Sequence, residues 1–560
     1  MLLRHTLRAG AHRLPPSLAP VRALSTLTAS AIRGRPSAGL LALPRILGLT
    51  LGGPSAGAPR ASFSQNARDP VYKLLAIEDV QHFRTLLGPR DVITTFGDAP
   101  QDAGDTLASF NTDWTRHFRG QSQCVLRPRT TEQVSQIMQY CHQQRLAVVP
   151  QGGNTGLNGG GIALFDEVVL SLGKMDQVRT FDPVAGTLVC DAGCILQTLD
   201  AYLEPHGYTM PLDLAAKGSC QIGGNVSTNA GGVHFIRHGS LHGNVLGLEV
   251  VLADGTVLHN LTTLAKDNTG YDLKHLFIGA EGTLGIVTGV AIKSAPLRRN
   301  KRVAVLGVSS MEKAQQILAL SRTSLAECLS AFELWDDECM ETLMERTRLP
   351  VKRPLADRHP FYLLVEISSA EESQLTERVG AYVNSLVGTD LATDGVLSQD
   401  QSQFRDLWNV REALPMGILG QACLTYDFTF TPDQFYSVVP VLRERLTQAG
   451  LYQGYQGGGI VQAVGGMGHF GDGNIHVAVA LREQSREVTN VVEPFVYKWT
   501  AENGGSISAE HGLGLLKVPY LRLAKPEPMI QVMRQMKAAL DPLGILNPYK
   551  VLPPSRVQHT

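Results

Sequence analysis

The stretch Pro150-Gln151-Gly152-Gly153-Asn154-Thr155-Gly156-Leu157-Asn158-Gly159-Gly160-Gly161 places six glycines in the ten residues from 152 to 161. Glycine takes positive φ and lets the backbone approach a ligand closely, so successive N–H groups can converge on phosphate oxygens. No Gly-Lys-Ser/Thr follows, so this is not a Walker loop, and it is not a G-x-G-x-x-G opening a helix. Upstream, Thr130 and Gln133 form a capping box. Val134, Ile137, Met138 and Cys141 then recur at i, i+3, i+4, i+7, which predicts an amphipathic helix over 130–146. Ala147–Pro150 follows as a short buried strand that delivers the chain into the glycines.

One such loop is also the composition of a flexible turn, but the chain has three. Lys217-Gly218-Ser219-Cys220-Gln221-Ile222-Gly223-Gly224-Asn225-Val226-Ser227-Thr228-Asn229-Ala230-Gly231-Gly232 again mixes glycine with small hydroxyls and amides. Gly279-Ala280-Glu281-Gly282-Thr283-Leu284-Gly285-Ile286-Val287 runs into a β-branched strand. Strands predicted at Glu167–Leu172, Thr187–Cys190 and Leu246–Ala253 alternate with helices, giving an α+β or α/β domain from about Trp114 to Pro296. Three loops on strand ends of one domain fit an extended dinucleotide.

Beyond Pro296 the pattern changes. A strand at Val303–Val308 precedes a capping box at Ser309 and Glu312, and a helix runs to about Leu320. A strand at Phe361–Ile367 precedes a second box, Ser369 with Glu372, and a helix with Leu375, Val379, Tyr382, Val383 and Leu386 on one face. These units predict a split β-α-β cap over the first domain. A last helix, Pro526–Leu540, carries Met529, Met533 and Met536, expected as core packing.

The phrase richest in chemistry is Gly468-His469-Phe470-Gly471-Asp472-Gly473-Asn474-Ile475-His476. Its two histidines flank a glycine turn that can fold them towards one point. Imidazole is the usual ligand of a catalytic zinc, and a carboxylate as third ligand leaves positions open. Ser508-Ala509-Glu510-His511-Gly512 offers such a carboxylate beside a histidine. From the residues alone, a structural turn is the more frequent meaning of such a pair.

Together these phrases resemble a known family. The three loops are similar to those of the vanillyl-alcohol-oxidase type of FAD-binding domain, and the likeness covers nearly the whole chain after its first 68 residues. Pro211-Leu212-Asp213-Leu214 running into Lys217–Cys220, Asp267–Lys274, and Gly544-Ile545-Leu546-Asn547-Pro548 resemble the mitochondrial D-2-hydroxyglutarate dehydrogenase family, type 4 FAD-binding oxidoreductases/transferases. The resemblance implies an α+β fold: a vanillyl-alcohol-oxidase-type (PCMH) FAD-binding domain, an α+β substrate cap domain, and a C-terminal segment returning to the flavin. FAD would be held without a covalent bond. The implied contacts are Pro150, Gln151, Gly152, Gly153, Asn154, Thr155, Gly156, Gly159 and Gly160 from the first loop; Pro211, Gly218, Ser219, Gly223, Gly224, Asn225, Thr228, Asn229, Gly231 and Gly232 from the second; Glu281, Gly282, Gly285 and Ile286 from the third; and Asn547.

The resemblance also implies zinc on His469, His476 and Glu510, with Arg411, the position of Thr425, and His511 contacting substrate. Zinc would lower the pKa of the substrate hydroxyl, and His511 would take its proton while hydride leaves for the flavin. Arg411 supplies the guanidinium that a substrate carboxylate needs. The implied activity is oxidation of a D-2-hydroxy acid, foremost D-2-hydroxyglutarate to 2-oxoglutarate, with electrons passed to electron-transfer flavoprotein. A D-lactate dehydrogenase, a peroxide-forming oxidase and a catalytically silent flavin-binding paralogue are the alternatives. Two positions depart from the family: Thr425 stands where it has a lysine before Tyr426-Asp427, and Ala478 where it has an asparagine. Gly454–Gly468 is also longer and richer in glycine. Losing an ammonium and an amide weakens recognition of carboxylates, at about 1.5–3 kcal/mol for each charge-assisted hydrogen bond.

Bulk composition is that of an ordinary globular chain, 43% hydrophobic and 18% charged, and a net charge of -1 argues against a dedicated nucleic-acid binder. Residues 1–68 hold nine arginines and no Asp, Glu or Lys, the composition of a mitochondrial transit peptide, so the matrix is the expected compartment. No stretch approaches the roughly 18–20 apolar residues of a membrane span. Eight cysteines without a C-x-x-C pair read as buried reduced thiols. The expected organisation is a leader over 1–68, an N-terminal segment over 69–113, the FAD-binding domain over 114–296, the cap with the metal site over 297–500, and a completing segment over 501–560.

Overall fold

The computed structural model describes residues 67–97, 102–346, 349–419 and 422–553. The expected leader lies outside them, apart from Ala67 and Arg68.

Thr130 caps its helix through a bond from the Gln133 N–H, and the helix runs Thr131–Gln144 with Val134, Ile137, Met138 and Cys141 buried. Gln133 Oε1 takes the Arg129 N–H at 2.7 Å rather than that of Thr130. Arg145, left-handed at φ 56, ends the helix. Strand Val148–Gln151 then pairs in parallel with Val168–Ser171. A four-stranded sheet forms in the order 92–94, 124–126, 168–171, 148–151. A five-stranded antiparallel sheet follows, in the order 178–182, 187–191, 286–293, 245–251, 257–260. One apolar cluster joins the two sheets, with Ile137, Val148, Leu170, Leu188, Val250 and Ile292 among its buried members. Each such side chain removed from water contributes about 1.5–3 kcal/mol. Ile545 and Leu546 belong to the same cluster. Val148 N–H donates to Ile545 O and Asn547 N–H to Val148 O, both at 2.8 Å, so the late segment docks on the strand that feeds the first glycine loop.

The second half is built on a seven-stranded antiparallel sheet, ordered 394–397, 300–308, 361–369, 329–336, 461–469, 474–481, 423–429. The first four strands, with helices Met311–Ser324 and Ser373–Gly388, have the split β-α-β arrangement that was expected. Alternation along the strands gives the sheet two buried faces. One face, with Leu306, Phe332, Leu363, Phe428 and Val477, packs on Ile317, Leu442 and Val492 from three helices. The other face, with Val305, Trp335, Leu364, Met467 and Ala478, lies under helices Asp337–Arg346 and Gln401–Leu419. The polar site occupies one end of this second face.

Three local expectations need correction. The cap of helix Met311–Ser324 is Ser310, not Ser309: Ser310 is still extended and its side chain accepts from Lys313 N–H, so the helix starts one residue later. Ser369 and Glu372 form no capping box: Ser369 accepts from Glu371 N–H, while Glu372 pairs with Arg302 at 3.0 Å. Met529 is 48% exposed, and only Ile530 of helix Glu527–Leu540 is fully buried, whereas Met536 packs on the first core. All eight cysteines are buried, and no disulfide joins any two of them.

Candidate active site

The three glycine-rich segments converge. A Cβ added at Gly153 would stand 2.1 Å from Ser219 O, and one at Gly282 would stand 2.6 Å from Pro150 Cγ. The second segment is not a strand-end loop as expected: Ile222–Thr228 is helical and carries Gly223, Gly224, Asn225 and Thr228, with Asn229 as its left-handed cap at φ 49. Asn547 Nδ2 donates to Gly160 O at 3.1 Å and to Glu281 O at 2.7 Å, clasping the first and third segments. Gly231 approaches Glu510 so closely that a Cβ would lie 2.8 Å from Oε2, and Gly232 abuts Asp213 O, beside Pro211. Gly285 packs instead against Val250 and Phe277, and Ile286 begins a buried strand, so neither is brought to the other segments. Gly218 lies nearest the Gln197 side chain, and Gly156 has open space around it.

Four buried side-chain oxygens in and against these segments, Gln221 Oε1, Asn225 Oδ1, Asn229 Oδ1 and Asn547 Oδ1, have no hydrogen-bond partner among the described residues. Buried polar atoms are almost always paired, so this set fits a cradle whose polar ligand completes it. Gly153→Ala is expected to remove most of the flavin absorbance per mole of purified protein while leaving far-UV circular dichroism unchanged. The clash is with backbone, which cannot swing aside; a variant that keeps full flavin content would show that this contact does not shape the cradle.

The second constellation hangs on the hairpin of Val461–His469 and Asn474–Leu481. Its turn requires glycine at 473, where φ is 85 and a Cβ would meet Phe430 O at 2.2 Å. His469 and His476 thereby face Glu510 and His511 from the 506–517 loop. Glu510 Oε1 has three imidazole Nε2 atoms around it, those of His469 at 3.8 Å, His476 at 3.5 Å and His511 at 3.5 Å. That loop is fixed by its backbone. Asp427 Oδ2 accepts the N–H groups of Ala509, Glu510 and His511 at 3.0–3.1 Å. Glu281 accepts those of Leu513 and Gly514, and Asn158 Nδ2 donates to the carbonyls of His511 and Gly512.

Electrostatics distinguish these groups. Burial pushes His476 down to about 4, so its nitrogens stay neutral and free to ligate. Burial opposes ionisation of Glu510, yet bonds from His469 and His511 hold its carboxyl well below the usual range. Burial also opposes a charge on His511, but Asp427 and Glu510 outweigh it and raise its pKa above the usual imidazole value. Asp427, His476, Glu510 and His511 each place one ligand atom within 4.8 Å of the others, and His469 falls outside that set. We nevertheless favour His469 over Asp427 as a ligand. Asp427 is committed to three backbone N–H groups, to Asn474 Nδ2 at 2.9 Å and to Lys517 at 3.6 Å. His469 Nδ1 lies 2.9 Å from both oxygens of Glu333, which leaves Nε2 facing the cluster. The donor set of imidazoles and one carboxylate fits a divalent transition metal.

Arg411, 6% exposed, joins the same network: its Nε and Nη2 lie 2.9 and 2.8 Å from Glu333 Oε2. Nη1 has no hydrogen-bond partner among the described residues. Thr425 and Ala478 are direct cross-strand partners, one step along the strands from the pair Asp427 and His476. The two departures from the family pattern therefore form one patch on the wall beside the histidines. Sequence reasoning missed Glu333 and the anchoring role of Asp427. Glu333 had one signal, a lone acid among Ala331, Phe332, Leu334 and Trp335 in a buried strand.

Comparison with known proteins agrees with this geometry. Residues 122–260 match a family described as FAD binding domain, and residues 297–551 match FAD linked oxidases, C-terminal domain. The fold is similar to p-cresol methylhydroxylase with substrate bound (TM-score 0.65, 16% identity, 84% of this chain and 96% of that one). It is also similar to alkyldihydroxyacetonephosphate synthase (TM-score 0.63, 15% identity, 88% of each chain). The chain is thus an FAD-dependent oxidoreductase of the vanillyl-alcohol-oxidase fold. It is 46% identical over 502 residues to a probable mitochondrial D-2-hydroxyglutarate dehydrogenase of Oryza sativa subsp. indica (89% of this chain, 86% of the relative). It is 48% identical over 444 residues to the mitochondrial D-2-hydroxyglutarate dehydrogenase of Bos taurus (79% of each). A putative mitochondrial D-lactate dehydrogenase of Schizosaccharomyces pombe is 44% identical over 491 residues (87% and 93%). The chain belongs to the D-2-hydroxyglutarate dehydrogenase family, and its location is mitochondrial. No helix among the described residues is long and apolar enough to cross a membrane.

Proposed function

We propose that this site oxidises a D-2-hydroxy acid at C2, with Arg411 on the C1 carboxylate and a divalent metal, zinc first, on His469, His476 and Glu510. One observation carries the reading: three imidazoles and a carboxylate meet at a point beside a buried guanidinium that keeps one unused nitrogen. FAD, when bound, accepts the hydride equivalent, and the metal polarises the hydroxyl. His511, its proton affinity raised by Asp427 and Glu510, would serve as the base with a cation taking up the charge of Glu510. Asp427 and Glu333 hold the imidazoles in orientation, and Asn547 and Glu281 close the flavin side. The matrix is the proposed compartment and electron-transfer flavoprotein the proposed acceptor. The boundary between the FAD-binding domain and the cap is placed near residue 296, consistent with family matches that end at 260 and begin again at 297, and 501–560 is proposed as the segment that completes the site.

D-2-hydroxyglutarate is the first candidate substrate, because the relatives carry its name. A second reading, D-lactate, is favoured by the wall: Ala478 belongs to an apolar cluster with Met467, Trp408 and Cys423, and Thr425 adds a hydroxyl but no charge. Steady-state kinetics on metal-analysed holoenzyme test both. The expected result is one metal per chain and kcat/KM for D-lactate within about tenfold of that for D-2-hydroxyglutarate. Thr425→Lys is expected to raise kcat/KM for D-2-hydroxyglutarate by about tenfold and leave D-lactate unchanged. A preference for D-2-hydroxyglutarate of about 100-fold or more would sink the second reading. A flavin that no D-2-hydroxy acid bleaches would sink the first as well.

A further inference from the structure

A cleft of about 740 Å³ is lined by Arg237, Arg298 and Arg322, with Phe235, Ile236 and Leu329 forming part of an apolar wall. None of the residues already placed in the active site lines it. The three arginines come from three separate pieces of chain: the turn of helix Phe235–His238, the connection after Pro296, and helix Met311–Ser324. All their hydrogen bonds go to neutral carbonyls. Arg237 Nη1 donates to Leu329 O at 2.9 Å and Nη2 to Glu327 O at 3.4 Å. Arg298 Nη1 donates to the same Glu327 O at 3.0 Å and to Ser368 O at 3.3 Å. Arg322 Nη2 donates to Gly471 O at 2.8 Å.

Two guanidiniums meeting on one carbonyl are like charges held close together. Burial and the neighbouring Arg298 both depress the pKa of Arg237 and outweigh the opposing pull of the Glu366 carboxylate. The carboxylate of Glu327 is engaged elsewhere, with Arg378 at 3.2 Å. The one acid in the lining, Asp472, accepts the Asn474 N–H and forms no ion pair with the three arginines among the described residues. Carbonyls satisfy the donors but leave the repulsion in place.

We propose that this cleft binds a small phosphorylated anion, its phosphoryl oxygens bridging Arg237, Arg298 and Arg322 and its organic body lying on the apolar wall. A phosphoryl group offers several acceptor oxygens and more than one charge, which suits guanidiniums arriving from different directions. The volume exceeds that of a phosphate alone and leaves room for such a body.

The test is titration calorimetry of the FAD-loaded protein with inorganic pyrophosphate, with sulfate at matched ionic strength as the control. Saturable binding of one pyrophosphate per chain is expected, with sulfate bound at least about tenfold more weakly. The double variant Arg237→Gln with Arg298→Gln is expected to weaken pyrophosphate binding about tenfold or more, with flavin content and basal turnover unchanged. Because both side chains also brace carbonyls, Arg322→Gln, at an exposed position, serves as the second variant and is expected to weaken binding severalfold. Absence of saturable binding, affinity unchanged in both variants, or binding seen only after the flavin is stripped would each overturn the proposal; the last would give the arginines to the cofactor.

Discussion

The His511→Gln variant is expected to keep its flavin and its metal yet turn over a D-2-hydroxy acid about a hundred- to ten-thousand-fold more slowly, the usual contribution of a positioned general base. The structure makes the substitution unusually clean. The loop at 511 is held through main-chain atoms, its N–H on Asp427 and its carbonyl on Asn158, so the side chain can change without releasing the loop. Glutamine fills much of the same space and cannot take the proton. Anaerobic single turnover, followed by flavin bleaching, isolates the step. A loss smaller than about tenfold, with flavin and metal intact, would assign the base elsewhere. Glu510→Ala serves as the contrast: it should lose metal together with activity, because it removes the carboxylate on which three imidazoles converge.

The second large effect is on stability. Glu333 is completely buried and is the one carboxylate paired with both Arg411 and His469. Burial opposes its ionisation, but those two partners hold its carboxyl below the usual range. Glu333→Ala leaves a guanidinium and an imidazole buried without an acceptor, and breaking a buried pair in this way costs about 3–5 kcal/mol. Denaturant unfolding should show that loss. Glu333→Gln, which keeps one acceptor oxygen, should lose less stability but raise KM and reduce metal content, since both Arg411 and His469 are aimed by this residue. If both variants unfold like the parent, the network does not carry the site.

Much of this architecture was legible in residue order because it rests on local rules. The 130–146 periodicity, the buried strand before Gly152 and the split β-α-β order all follow from spacing that the backbone repeats. The helix at Ile222–Thr228 was not legible, because Gly223, Gly224 and Asn225 are poor helix formers by propensity and only the surrounding packing settles them. The capping box at Ser369 failed for a related reason: pairing with strands tens of residues away carries the strand through Ser369 and so moves the start of the next helix. His469, His476, Glu510 and His511 could be singled out as candidates by residue type, but it was the family resemblance that joined them into one site. Glu333 could not, since its meaning depends on which residues stand beside it across the sheet. The pairing of Thr425 with Ala478 likewise exists only in the register of two strands.

The clasp made by Asn547 has a consequence for the order in which the protein matures. The atoms it joins, at Gly160 and Glu281, are 387 and 266 residues earlier in the chain. A ribosome releases them long before Asn547 exists. The cradle therefore stays open on one side throughout synthesis, and tight flavin capture waits for the far segment to arrive. A chain cut short before Asn547 is accordingly expected to hold its flavin loosely, however well its first half has folded.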